Sequence, residues 1–386
     1  MEKIVFLFYK NISSVGGAEV LLFKHYNFLK KAGFSPKLIC FKYKNTEISN
    51  VGNDDIIIAS SIIGLTRLII KFKPIYSFCH SGYIDFSIAS LFSKNKFSTF
   101  IHHPTTMSFN ETDKISIFFF KKYIKFARKD CMFQKIVDMK KKKNLYEMFY
   151  INLRALISQF LIRRSEKIFV LSDYAKKEKK EIFGIDSIAL SGGIDKNKLI
   201  TDVQPSNKIL KDKYEFVTLS RLDKNKRIGV IIESLKILKD KNIDFNMNII
   251  GIGPHEEYLK KLSESLGMTD HINFLGYLTK DKADYYLKAM DMFITIDWAD
   301  YRITTFEILL YNKKLILSDE TERDSWLDQS GYVKYSKPDP HSLSKRIFKH
   351  LNSSINCSNQ DLENYLFNFQ WDNYFQSINK HVELSI

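Results

Sequence analysis

Apolar residues in the first hundred positions fall into two kinds of run. KIVFLFY, PKLICF, DIIIAS, IYSFCH and FSTFIHH are short and nearly continuous, the pattern of strands covered on both faces. AEVLLFKHYNFLKKAGF instead spaces its apolar residues at helical intervals and stops at Gly33. LTRLIIKFK and IDFSIASLF continue the alternation. Strands alternating with helices predict a parallel sheet with helices on both faces.

The pattern breaks after His103. From about Asp113 to Lys167 the chain reads as mostly helical and very basic, with 14 Lys and Arg against 4 Asp and Glu between Lys121 and Lys167. Aromatic residues are interleaved there, as in ISIFFFKKYIKFARKDCMF. Two readings fit: a helix lying in an anionic lipid interface, or core aromatics with a wet lysine face. KIFVLSD then returns as a strand, and DSIALSGGID as a strand with a turn.

A second alternating unit starts near Tyr214. EFVTLSRL, FNMNIIGIGP, INFLGYL and MFITID read as strands. IGVIIESLKILKD, HEEYLKKLSESLG and KADYYLKAMD read as the helices between them. TDVQPSNKILKDK, between the two units, has linker composition, and LENYLFNFQWDNYFQSINKHVELSI closes the chain as one aromatic-rich helix. The expected domains are 1–198, with a basic helical segment at 113–167, then 199–365, then a C-terminal helix 366–386 packing back on the first domain. Two doubly wound units of this kind carry ligand-binding loops at the carboxyl ends of their strands.

Composition narrows the chemistry. Of 386 residues, 45% are hydrophobic, enough for two cores, and the formal net charge is +15. A basic excess suits anionic ligands or a polyanionic surface. Nucleic-acid binding fits the charge, but no recognisable module accompanies it. The four cysteines form no CxxC pair, so a zinc site is not expected and reduced thiols are. MEKIVFLFYK lacks the features of a signal peptide, and no run of 18 apolar residues occurs. The expectation is a cytoplasmic protein, peripheral on the inner face of a membrane if the basic segment binds lipid.

Several short stretches carry candidate chemistry. In SRLDKNKRIGV, Arg221 and Lys226 lie between a strand and a helix, where a guanidinium, an ammonium and helix N–H groups suit a diphosphate. A solvated basic turn would look the same, and Lys224 and Arg227 read as surface charges. In SSVGGAEVLL, Gly16 and Gly17 open the first helix, either to admit a ligand close to the backbone or to satisfy helix-start geometry. IIGIGPHEE offers Gly251 and Gly253 but lacks a third fingerprint glycine, so it reads as a tight turn lining the site and not as a dinucleotide site. His80, His102 and His103 end strands, where an imidazole either meets a hydroxyl or phosphate or is an ordinary polar strand end. Glu307 opens the apolar turn FEILLYN, placed to accept two hydroxyls or simply exposed on a helix.

Taken in order, these stretches resemble the retaining glycosyltransferases of family 4, whose fold is GT-B: α/β, two doubly wound Rossmann-like domains facing a central cleft. KIVFLFY…GGAE is similar to that family's opening strand and glycine loop. SGGID is similar to its turn before the second domain, with Gly192 for Asn. SRLDKNKR resembles GRLxxxKG, with Ser220 and Arg227 in place of the glycines. IIGIGPHEEYLKKLSESLGMTDHINFLGYL is similar to the long central signature, and FEILLYNKKLILSD to EAMAxGxPVI. FNFQWDNYFQSI is similar to the aromatic C-terminal segment. The likeness covers most of the chain.

The resemblance implies a metal-independent hexosyltransferase that needs no cofactor and uses a nucleoside-diphosphate sugar as co-substrate. Arg221 and Lys226 would bind the diphosphate and stabilise the leaving group. Gly16 and Gly17 would approach it from the first domain, and Gly253 would line the donor site. Glu307 would hold the ribose, His102 would lie near the transferred sugar, and the backbone at Gly276 and Tyr277 would meet the base. A UDP-sugar donor and a lipid-linked or surface polysaccharide acceptor follow, with an anionic membrane surface as a further partner and no nucleic acid. The chain departs from the family where a second glutamate is usual, eight residues before Glu307: Ala299 stands there. Asp300 is the expected substitute, with Asp297 the other aspartate nearby. Asn312 and Lys314 replace a glycine and a proline, and Tyr301 and Arg302 replace small residues. A catalytically inactive binding protein of the same fold is the alternative that Ala299 raises.

Overall fold

The computed structural model describes residues 2–12, 17–44, 51–93, 95–102, 145–195, 213–297, 303–320 and 323–384. The basic stretch at 113–144, most of the expected linker, Gly16, His103 and the 298–302 loop with Ala299, Asp300, Tyr301 and Arg302 lie outside these residues. The chain divides into two units, Met1–Gly193 with Asn368–Ile386, and Ile194–Phe367.

In the first unit the alternation yields β1 (Ile4–Phe8), β2 (Asn11–Ile12), α1 (Gly17–Lys31), β3 (Ser35–Cys40), β4 (Lys42–Tyr43), β5 (Ile56–Ile58), α2 (Ile62–Phe72), β6 (Tyr76–Cys79), α3 (Tyr83–Ala89) and β7 (Phe97–Ile101). Then come α4 (Leu145–Ile162), β8 (Lys167–Val170), α5 (Asp173–Phe183) and β9 (Ile188–Ala189). Seven strands form one sheet in the order β5-β3-β1-β6-β7-β8-β9, every pair parallel. β2 and β4 pair separately. Successive side chains of β1 point to opposite faces, yet Val5, Phe6, Leu7 and Phe8 are all fully buried. Helices therefore cover both faces, which explains a continuous apolar run instead of an alternating one.

The second unit contains β10 (Tyr214–Leu219), α6 (Ile228–Lys239), β11 (Phe245–Ile250), α7 (Glu256–Ser265), β12 (Ile272–Gly276), α8 (Lys280–Ala289) and β13 (Met292–Ile294). It continues with α9 (Ile303–Leu309), β14 (Lys314–Ser318), α10 (Ser325–Ser330), β15 (Val333–Ser336), α11 (Pro340–Leu351) and α12 (Asn359–Phe367). Its six parallel strands run in the order β12-β11-β10-β13-β14-β15. The chain winds from β10 to one side through β11 and β12, then restarts on the other side at β13. That reversal makes the carboxyl ends of β10 and β13 the switch point, where open α/β sheets bind ligands.

The C-terminal segment is two helices instead of the single one expected. α12 ends at Phe367 in the second unit, and α13 (Trp371–His381) belongs to the first. Gln370 between them is extended (φ −66°, ψ 139°), and the Phe369 carbonyl accepts from the Gly193 amide at 2.9 Å. Helical periodicity persists across the break because both halves bury an apolar stripe. In α13 the Phe375 ring stacks on His25 of α1 with centroids 4.8 Å apart. A Cβ on Gly192 would meet Tyr374 Cγ at 2.6 Å, so α13 closes onto this turn only because residue 192 has no side chain.

Candidate active site

The loop after β10 is the centre of the candidate site. It leaves the strand at Ser220, makes a single 3-10 turn at Lys224–Lys226, and enters α6 at Ile228. Its backbone is laced to the loop after β11: Ser220 N–H donates to the Ile250 carbonyl, Leu222 N–H to Ile252, and His255 N–H back to Leu222, at 3.0, 3.0 and 2.9 Å. Gly251 and Gly253 permit this contact. A Cβ on Gly251 (φ +134°) would stand 1.9 Å from the Ser220 carbonyl oxygen, and one on Gly253 2.4 Å from that of Leu222. The two glycines thus serve the close approach of one backbone to another, which sets the position of Arg221 between Ser220 and Leu222.

Arg221 and Lys226 are presented differently. The Arg221 side chain is 72% exposed, and its Nε lies 3.2 Å from Asp223 Oδ2. Lys226 is half-buried, and its Nζ lies 2.7 Å from Oδ2 of Asp297, just past β13. Thr295 Oγ1 donates to the other Asp297 oxygen at 2.8 Å. Asp297 is itself buried. Its carboxylate thus spans the switch point and holds the ammonium over it.

Arg227 is not the surface charge the sequence suggested. Its backbone is left-handed (φ 52°, ψ 31°), as suits a position where the family pattern has glycine. Its side chain is only 11% exposed; Nη1 donates to the Ile296 carbonyl at 3.1 Å and to Glu320 Oε2 at 2.7 Å. Glu320 follows β14 and is 4% exposed. Neither Thr295 nor Glu320 stood out in the sequence: Glu320 meets Arg227 from 93 residues away, and Thr295, two residues from Asp297, matters only because Asp297 reaches Lys226 across 71 residues, beyond the reach of any local pattern.

The remaining residues of the second unit lie around this centre. Glu307 is on the exposed side of α9, whose Thr305, Phe306, Ile308 and Leu309 are buried. It is near enough to Tyr311 to contribute to the rise of that phenol above its ordinary range, a rise due first to burial and then to the Asp284 carboxylate that accepts its proton. Gly276 is left-handed (φ +66°), its carbonyl accepts from Gly251 N–H at 2.8 Å, and the following Tyr277 is 69% exposed. Asn312 takes the left-handed conformation (φ 57°) of the glycine it replaces. Lys314, in place of proline, donates to the carbonyls of His350, Leu351 and Ser353 at 2.9, 3.1 and 2.6 Å, satisfying the C-terminal end of α11.

In the first unit, Gly17 begins α1, and a Cβ there would meet nothing within 4 Å. His102 follows β7 and is buried, its ring 5.7 Å from that of His80. His80 is a core residue, contrary to the reading that a strand-end histidine faces a ligand. It is fully buried, stacked on Phe100 at 4.3 Å, with Nε2 3.1 Å from His25 Nδ1. Burial depresses both imidazoles, His25 to about 3 and His80 well below its usual range.

Residues 200–365, nearly the whole second unit, match the family described as glycosyl transferases group 1. No curated protein sequence matches the chain. Solved structures align over almost its full length at low identity. The lipopolysaccharide outer core galactosyltransferase WaaB superposes with a TM-score of 0.67 at 13% identity, covering 98% of this chain and 99% of that one. Anabaena HepE, in complex with UDP and glucose, gives 0.69 at 12% identity, covering 99% and 100%. Sucrose-phosphate synthase from Thermosynechococcus elongatus gives 0.70 at 9% identity, covering 99% and 98%. Residues 200–365 therefore match the glycosyl transferases group 1 family, on a chain with the GT-B fold of these glycosyltransferase structures.

Proposed function

We propose that this protein is a retaining glycosyltransferase that moves a sugar from a nucleoside-diphosphate donor to a lipid-linked or surface polysaccharide acceptor, with a UDP-sugar as donor. The observation that carries the reading is the pair of cations at the switch point of the second unit. Arg221 offers an exposed guanidinium fork, and Lys226 an ammonium held by Asp297. A leaving diphosphate gains negative charge as the sugar C1–O bond breaks and its electron pair passes to the phosphate oxygen. Fixed cations there stabilise that charge without needing a metal ion or another cofactor. The acceptor hydroxyl oxygen bonds C1, and its proton leaves to the departing phosphate. In this reading Glu307 accepts the ribose hydroxyls, Tyr277 lies near the base, and Gly253 lines the donor site. The roles that the resemblance assigns to Gly16, Gly17 and His102, and to Asp300 as the missing carboxylate, belong to the same proposal.

HepE in complex with UDP supports a uridine donor, and WaaB, a lipopolysaccharide outer core galactosyltransferase, supports a surface-glycan acceptor. Such an acceptor implies work at the inner face of a membrane by a peripheral protein. Among the described residues no helix is long and apolar enough to cross a membrane. Ala299 favours a second reading, a protein of this fold that binds a nucleotide sugar without transferring it. Release of nucleoside diphosphate from a panel of UDP- and GDP-sugars, in EDTA with and without membrane lipid extract, separates the two. Lipid-stimulated release from one donor establishes the transferase. Binding without release from any donor establishes the inactive protein.

A further inference from the structure

A cavity of about 360 Å³ opens at the β15 edge of the second unit, lined by Arg323, Lys337, Lys345, Arg346 and Lys349 against a single carboxylate, Asp319. It is separate from the loop after β10: β13 and β14 intervene between β10 and β15, a lateral distance of roughly 14 Å at ordinary strand spacing. None of the residues assigned above to donor binding lines it. We propose that this pocket binds a phosphate-rich group, a pyrophosphate or clustered phosphomonoesters, at a second anion site on the protein.

The charges there are poorly explained by folding alone. Ser342, Lys345, Arg346 and Lys349 share one face of α11, while Leu343, Ser344, Ile347 and His350 form its buried face. Lys345 and Lys349 are four residues apart, a spacing at which like charges repel and destabilise a helix. A cation in the last helical turn is favourable, which accounts for Lys349 but not for Lys345 and Arg346 in the middle. Lys337 precedes the helix, near the end where a cation is unfavourable. Asp339 is the N-cap, accepting from Ser342 N–H at 2.8 Å. Among the described residues Lys337, Lys345, Arg346 and Lys349 make no ion pair within 4 Å, although the protein forms such pairs elsewhere on its helices, as at Lys260–Glu256 and Lys261–Glu257.

The lining also selects the kind of anion. The volume lies at the lower end of small-ligand pockets, above what one phosphate fills. The single aromatic ring in the lining, Tyr335, is buried and covered by Arg323 at 4.9 Å, so it offers no face on which a base could stack. Several cations with a planar guanidinium fork and no stacking platform fit clustered phosphate oxygens better than a nucleotide. The group could arrive on a soluble phosphorylated compound or on a phosphorylated lipid headgroup.

Calorimetric titration of the full chain with sodium pyrophosphate, in low salt with EDTA, tests the site. The double variant Arg221→Ala, Lys226→Ala removes the cations of the donor reading and is expected to keep binding at the second site. Adding Lys345→Gln and Lys349→Gln to it should weaken that binding at least tenfold, and Arg346→Gln alone severalfold. The affinity should fall as salt rises. The proposal is overturned if the Arg221, Lys226 variant binds no pyrophosphate, or if the α11 substitutions leave its affinity unchanged. All three α11 positions are exposed, so unchanged melting temperatures are expected to accompany the loss. Flotation with phosphatidylcholine vesicles, with and without phosphatidic acid, identifies the source. Phosphatidic-acid-dependent flotation lost in the α11 variant assigns the lipid headgroup, and pyrophosphate binding without flotation assigns the soluble one. Nucleoside-diphosphate release by Lys345→Gln, Lys349→Gln reads the donor site separately, so failure of one proposal is distinguishable from failure of the other.

Discussion

Arg227 Nη1 donates to Glu320 Oε2 across 2.7 Å, and both side chains are almost wholly buried. The pair ties the start of α6 to the loop after β14, 93 residues further along. It also accounts for a left-handed arginine where glycine would be unstrained, because the backbone cost of about 1–2 kcal/mol is offset by a buried charge-assisted bond. Arg227→Ala is expected to destabilise by about 1.5–3 kcal/mol, since the buried Glu320 carboxylate loses a charge-assisted hydrogen bond. Arg227→Gly should lose ~1 kcal/mol less, because glycine adopts the left-handed conformation freely. Urea unfolding of both variants checks the order; an alanine variant as stable as the wild type would refute the account.

Arg221 is expected to act on binding and not on stability. Its side chain is exposed, with Asp223 beside it. Arg221→Ala should weaken UDP binding roughly tenfold to a hundredfold, the worth of a charged hydrogen bond, and leave the melting temperature unchanged. Calorimetry with UDP and a thermal melt together decide it.

Gly253→Ala tests whether the glycine positions the Arg221 loop. The added Cβ would sit 2.4 Å from the Leu222 carbonyl oxygen, and that contact is with backbone, which cannot rotate away. A loss of about 1–3 kcal/mol in stability is expected, as for overpacking, accompanied by weakened UDP binding. Retained stability with intact binding would show that the loop tolerates displacement.

The buried histidines predict acid sensitivity. His25 and His350 are held to about 3 by burial, against an unfolded value of 6.5. Protonation therefore favours the unfolded chain. Their contribution to stability is complete above pH 6.5 and is lost as pH falls from 6.5 toward 3. The slope should approach about 1.4 kcal/mol per pH unit for each histidine kept neutral. His25→Phe, which preserves an aromatic ring against Phe375, should flatten the acid limb of a plot of unfolding free energy against pH. An unchanged limb would place the sensitivity elsewhere.

Much of the fold was legible in the chain because the signals are local. Apolar runs such as IVFLF in β1 and YEFVTL in β10 mark strands covered on both faces, and Gly33 and Gly267 end their helices where expected. The Ser220–Arg227 loop could be placed between its strand and helix, and Asn312 could be expected to replace a glycine. The break between α12 and α13 was not legible. The apolar stripe runs across it, and the interruption depends on the Gly193 amide meeting the Phe369 carbonyl.

The sequence by itself determined the two parallel α/β units, the order of the loops and the candidates Arg221, Lys226 and Glu307, since each follows from neighbours within a few residues. Only the tertiary structure decided what Asp297, Arg227, Glu320 and His80 do. Asp297 reaches Lys226, and Glu320 reaches Arg227, because β13 and β14 stack beside β10 in an order that the chain does not spell out. His80 became core because a helix from the far end of the chain, α13, covers its neighbour His25. Burial and ion pairing belong to a position in space, and residues separated by 71 or 93 positions acquire a shared one only when the sheet forms.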